Sequence, residues 1–216
     1  LLRGLGREQR MKAAFLSGWF FLTVATLWIL KPVRVASLLA HLGAVETPYV
    51  RLAGVVTIGV VVAGYSRLVD RLTRAGIVIG ANVAFAIALF GFWAALEIGG
   101  SWLGAQRPFV WAVYILVEIY SVVMIGIFWT YANDVCDEDD AERLYGIVGL
   151  GGIVGGVAGG AFVDAFTRAL GPVNLLLTCS VMVIAAAFLG FAAERTLAPP
   201  PRKRSGKEEK GLAAAT

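Results

Sequence analysis

Six stretches of this 216-residue chain stay apolar for about the length a lipid bilayer demands, and that repetition limits the possible folds more than any other feature. They lie near residues 13–40, 48–68, 77–96, 109–132, 144–166 and 173–193. The hydrocarbon layer is ~30 Å thick and an α-helix rises ~1.5 Å per residue, so ~20 apolar residues make one crossing. With 58% of residues hydrophobic, 16% charged and a mean hydropathy of +0.77, the chain has more apolar surface than a soluble core of this size can hide. The expected fold is therefore all-α and polytopic: a bundle of six transmembrane helices over 13–197, with a cytoplasmic segment at 1–12 and a basic tail or linker at 198–216. The first stretch is too long for the apolar part of a cleavable signal peptide, and no small-residue cleavage site follows it.

Orientation follows from the basic residues, which collect on the cytoplasmic side of membrane helices. When loops alternate sides, fourteen of the nineteen Lys and Arg fall with the two termini, among them Arg10, Lys12, Arg71, Arg74, Arg143 and Arg195. Both termini are expected in the cytoplasm. This distribution also accounts for the pI near 9.3, so nucleic acid is not an expected partner. The acidic run Asp134, Asp137, Glu138, Asp139, Asp140 and Glu142 reads as a solvated cytoplasmic loop, since it lacks the alternating ligands and central glycine of a calcium loop. Cys136 lies in that polar stretch and Cys179 in an apolar run, so no disulfide is expected between them.

The fifth stretch carries two interleaved glycine series, Gly151, Gly155, Gly159 and Gly152, Gly156, Gly160. Spacing by four stacks them along one side of a helix, where a neighbouring backbone can approach closely. A dinucleotide loop does not fit, because the third glycine of its fingerprint would fall on Val154 and no βαβ unit surrounds it. No glycine is followed by Lys-Ser or Lys-Thr at phosphate-loop spacing. Neither a metal cluster nor a nucleophile and base pair is evident, so no cofactor, no metal and no enzymatic activity is expected.

Charges inside the spans are the candidates for function, because burying an ionisable group in hydrocarbon is costly without partners or water. Lys31 and Arg34 are three residues apart on one helix, and Pro32 between them lacks an N–H and loosens that turn. They form a cationic patch suited to an anion, with snorkelling to the headgroups as the alternative. Glu118 lies nine residues into the fourth span, and Lys31 lies nine residues before the end of the first, so both sit ~14 Å below the outer boundary. Matched depth permits Lys31 and Glu118 to pair, for structure or for a site. His41 fits a solvated helix end, Asn82 and Asn133 fit bridging between helices, and the six tryptophans fit interfacial anchoring.

The loop Ser66-Arg67-Leu68-Val69-Asp70-Arg71-Leu72-Thr73-Arg74 resembles the G-x-L-a-D-R-x-G-R signature of the major facilitator superfamily, with Ser66 and Thr73 in place of two glycines. Leu30-Lys31-Pro32-Val33-Arg34, Leu42-Gly43-Ala44 and Pro48-Tyr49 resemble the first span and loop of one branch, the nucleotide transporters or ATP:ADP antiporter-like proteins. Phe128-Trp129-Thr130-Tyr131-Ala132-Asn133-Asp134 and Arg143-Leu144-Tyr145-Gly146 resemble its junction of spans four and five. The resemblance covers about residues 13–193 and implies one six-helix half of a twelve-span transporter that alternates access by rocking its halves. It places Lys31 and Glu118 on the substrate path and implies a bacterial inner membrane as the location; Arg34 and Asn133 are further candidate binding positions. It makes Asp70, Arg71 and Arg74 the signature that steadies one conformation.

The expected function is a membrane transport module for an organic or phosphorylated, nucleotide-like anion. Its expected partners are the bilayer, the small anion, and a second six-helix half, another copy or another membrane subunit. The chain reads as the first half of a longer transporter or as a half-size protein. The competing expectation is a non-transporting scaffold subunit that docks through the glycine face of span five.

Overall fold

A computed structural model describes residues 6–69 and 73–197, with side chains as far as Tyr65 in the first block. Five long helices account for nearly all of it: α1 (Arg7–His41), α2 (Thr47–Val69), α3 (Arg74–Gly104), α4 (Arg107–Val135) and α5 (Glu138–Leu197). Each is long and apolar enough to cross a membrane. The protein is all-α, a polytopic membrane bundle.

Short connections follow local chemistry. Gly43, at φ 80°, turns the chain out of α1 into a single 3-10 turn, Ala44–Glu46. The Thr73 hydroxyl accepts from the Gly76 N–H at 3.2 Å and caps α3. Pro108 enters α4 in its first turn, where a missing N–H is harmless. An Asp137 carboxylate oxygen accepts from the Asp140 N–H at 2.8 Å where α5 begins.

At 60 residues, α5 is about twice the length of the others, and it breaks at Gly171, whose φ of 73° and ψ of 162° are not helical. Pro172 follows. The contacts of α5 with α1 show what the break does. In the first arm, Gly151, Gly155 and Gly159 meet Ser17, Phe21 and Ala25, so both numbers rise together and the helices are parallel. In the second arm, Gly190 meets Trp19 while the Cys179 thiol faces the Thr26 carbonyl at 3.9 Å, so one number falls as the other rises. Arms 138–170 and 172–197 therefore run in opposite directions, and Gly171 is a chain reversal. With the two arms counted separately, the bundle has six long helical segments.

α1 is its central helix. Trp19, 0% exposed, packs edge-on against Phe128 at 5.2 Å and Tyr131 at 5.3 Å, and Phe20 stacks on Phe128 at 4.4 Å. On its other side the second arm of α5 is bonded to α3: Ser180 Oγ donates to the Ala86 carbonyl at 2.9 Å and Trp93 Nε1 to Asn174 Oδ1 at 3.2 Å. By contrast, α2 touches chiefly α4 and leaves Leu52, Val55, Val56 and Val60 about two-thirds exposed.

One member of the acidic run is not solvated. Asp140 is buried against the start of α1, with Lys12 Nζ at 2.6 Å and Gln9 Nε2 donating at 2.9 Å. Burial opposes the charge on Asp140, but Lys12, Gln9 and Arg143 outweigh it and hold the carboxyl below the usual range. Burial likewise opposes the Lys12 charge, and Asp140 and Glu8 outweigh it and hold the amine above its ordinary value. The Asp140 contribution is thus present above pH ~4 and is lost as pH falls through the lowered folded value. The Lys12 contribution is present below pH ~10 and is lost as pH rises through the raised one. Lys12→Met is expected to cost about 3 kcal/mol near pH 7 and less in acid, where the stranded carboxylate protonates. Thermal unfolding of the variant at pH 7 and pH 4 checks this; an equal loss at both would show that the loss does not arise from the stranded Asp140 charge.

Candidate functional site

Two of the charged residues within the spans, Arg34 and Glu118, meet where the later part of α1 packs against the early parts of α2 and α4. Leu38, Val50, Val110 and Tyr114 form a small apolar cluster at that end and fix the spacing of the three helices. Glu46 secures the loop above, bonded to Arg107 at 3.0 Å and accepting from Trp111 Nε1 at 3.2 Å.

Below this cluster, Arg34 Nη1 lies 2.6 Å from Glu118 Oε1, and the guanidinium carbon sits 4.6 Å over the Tyr114 ring. The Arg34 side chain is 12% exposed and that of Glu118 is 25%. Close as it is, the contact is an ion pair without hydrogen-bond alignment: both Nε and Nη1 of Arg34 are buried with no aligned acceptor. A buried donor left unmade costs ~1–3 kcal/mol, more when it is charged. α2 passes close to Glu118: a Cβ added at Gly54 would lie in van der Waals contact, 3.8 Å from Glu118 Cγ. Arg51 of α2 has the Tyr114 hydroxyl and the Glu118 carboxylate as its electrostatic neighbours. In the sequence Arg51 reads equally well as a charge flanking the second span. The signal that marks it is its place after Pro48 inside an apolar run.

Lys31 is not the partner of Glu118 here. Its amine lies 4.9 Å over the Trp28 ring, and Trp28 packs against the Gly156 and Gly159 side of α5. Arg34, one turn on, faces α4 instead. Asn133 is at the other end of α4 from Glu118, fifteen residues or ~22 Å along the helix. There it accepts a hydrogen bond from the Tyr145 hydroxyl. At that end Arg74 Nε approaches Asp134 Oδ2 at 3.7 Å, both about two-fifths exposed, beside a pocket of about 110 Å³ lined by Tyr65, Thr130 and Tyr131. Asp70 and Arg71 lie outside the described residues.

The first-arm glycines are set against backbone. A Cβ added at Gly151, Gly155 or Gly159 would lie 2.7, 2.5 or 2.5 Å from the carbonyl oxygens of Ser17, Phe21 and Ala25. Among the second series, Gly152 meets the Phe20 ring and Gly156 the Trp28 ring, whereas Gly160 faces open space.

Residues 98–190, less than half of the chain, match the family described as TLC ATP/ADP transporter. Glu118, Asn133 and the glycine series lie inside the matched region; Lys31, Arg34 and Arg51 lie before it. Over 73 residues the chain is 32% identical to the ADP,ATP carrier protein 3 of Rickettsia conorii (strain ATCC VR-613 / Malish 7). That stretch is 33% of this chain and 13% of the relative, so the chain matches only a small part of the relative's length. No solved structure matches it.

Proposed function

We propose that this bundle is a transport module for a phosphorylated, nucleotide-like anion, working by alternating access as one half of a facilitator-type carrier. The carrying observation is Arg34: a buried guanidinium whose Nε has no acceptor and whose Nη1 meets Glu118 without hydrogen-bond alignment is an arrangement that a phosphate oxygen would complete. Arg51 adds a second cation at the same level, and Lys31 a third on the neighbouring face of α1. Glu118 is their counter-ion when the site is empty and competes with the anion when it arrives. The similarity to an ATP/ADP transporter family and to an ADP,ATP carrier supports nucleotides as the anion.

Asn133, Asp70, Arg71 and Arg74 belong to the opposite mouth in this reading, where the Arg74–Asp134 contact would hold one conformation and break in the other. The partly uncovered α2, with Arg51 near one end, would line the path and meet a second half, another copy or another subunit. A scaffold role through the glycine face is disfavoured by geometry, because α1 already occupies Gly151, Gly155 and Gly159.

Exchange of labelled ATP or ADP by the full-length protein in proteoliposomes tests the function. Saturable exchange without hydrolysis is expected, and none with any nucleotide would remove the assignment. Orientation is tested in intact cells with an impermeant thiol reagent. Cysteine at Val45, 78% exposed in the turn after α1, is expected to react, and cysteine at Glu142 is not. The reverse pattern would invert the topology. Background is low, since both native cysteines are buried, and burial pushes the Cys136 thiol up to about 11.

A further inference from the structure

We infer that the groove between α3 and the second arm of α5 holds one acyl chain of an anionic phospholipid whose phosphate rests on Arg195. The groove has a volume of about 320 Å³ and is lined by Ile79 and Val83 from α3 and by Ile184, Ala187, Phe188 and Phe191 from α5. The four α5 positions follow the i, i+3, i+4, i+7 pattern of one helix face. Ala187 makes the floor and the two phenylalanines the wall. Phe188 is 69% exposed, so the groove opens outward to the bilayer.

One end of this groove is not apolar. Arg195, one turn beyond Phe191, lays its guanidinium 4.3 Å over the Phe191 ring and is exposed. Among the described residues it has no carboxylate within ion-pair distance, and the adjacent Glu194 turns Oε2 into the bundle. Val78 touches Gly190, which brings the N-terminal turn of α3, with its partial positive charge, to the level of Glu194 and Arg195. The lining runs along α5 from Ile184 to Phe191, ~10 Å, from that level towards mid-membrane, so a chain lying in it leaves its headgroup beside Arg195. A cation at the headgroup plane and a dry slot beneath it match a diacyl lipid carrying net negative charge. They do not match a zwitterionic lipid equally, since the guanidinium would then share its phosphate with a second cation.

The test uses the purified chain in detergent with dioleoyl phosphatidylglycerol, dioleoyl phosphatidylcholine and inorganic phosphate as probes, read by native mass spectrometry and by Tm. Phosphatidylglycerol is expected to bind roughly fivefold more tightly than phosphatidylcholine, the worth of one basic side chain near the surface. Arg195→Gln is expected to bring that ratio to about one while leaving the fold intact, because the side chain is exposed. Ala187→Phe, which fills the floor, is expected to lower retention of both lipids. Equal binding of the two lipids, or a preference that survives Arg195→Gln, would overturn the inference. A response to inorganic phosphate equal to that for phosphatidylglycerol would overturn it too, leaving a free-anion site on Arg195 with no role for the groove.

Discussion

Leucine in place of Gly155 is expected to separate the first arm of α5 from α1 and leave no folded bundle to purify. Adding side-chain volume to a packed interior costs ~1–3 kcal/mol where neighbouring side chains can yield. Here the obstacle is the Phe21 carbonyl oxygen, 2.5 Å from where the first added carbon would sit, and Ser17 and Ala25 meet the flanking glycines in the same way. The two helix backbones must move apart along their whole contact, so the cost is expected to exceed about 3 kcal/mol, a large share of a typical ~5–15 kcal/mol stability. Gly160→Leu is the control. Its Cβ position is open, and a change within about 0.5 kcal/mol is expected. Melting temperature and monodispersity in detergent decide the matter, and an unchanged Gly155→Leu would mean that α1 and the first arm of α5 are not in contact.

Removal of Arg34 carries the second large effect, and it has two separable parts. Arg34→Ala leaves Glu118 without the cation at 2.6 Å, which is expected to cost about 3 kcal/mol, as for other broken buried pairs. It is also expected to weaken nucleotide binding by at least about a hundredfold, through loss of charge-assisted hydrogen bonds of about 3 kcal/mol or more in total. Pairing it with Glu118→Gln separates the two, since the double variant is expected to recover most of the stability and none of the binding. Glu118→Gln alone is expected to bind nucleotide more tightly, the competitor having gone. Recovery of both properties in the double variant would mark a structural ion pair.

Apolar length alone made the helices legible. It also placed the break between the fifth and sixth crossings at 167–172, where Gly171 and Pro172 reverse the chain, although the helix on either side is continuous enough to run as one element of 60 residues. The glycine spacing in 151–160 announced close approach of something, but spacing cannot name the partner. That α1 supplies it follows from the register with Ser17, Phe21 and Ala25.

The site was harder to read. Depth arithmetic put Lys31 and Glu118 at one level and said nothing of azimuth, and azimuth decides that Arg34 faces Glu118 while Lys31 turns to Trp28. Arg51 was hidden because a charge one turn into a span looks the same as a flanking charge. Asp140 was hidden for a tertiary reason, since its partners Gln9 and Lys12 lie some 130 positions earlier in the chain.

The most direct test of the Arg34 site is the change in Tm of the full-length protein on adding ATP, in the native sequence and in Arg34→Gln. A ligand at a hundred times its Kd stabilises by ~2.7 kcal/mol, or roughly 5–11 °C for a domain of this size. The native protein is expected to show a shift of that order with ATP and ADP, and Arg34→Gln to show none. An equal shift in the two proteins would place the nucleotide elsewhere and contradict the assignment.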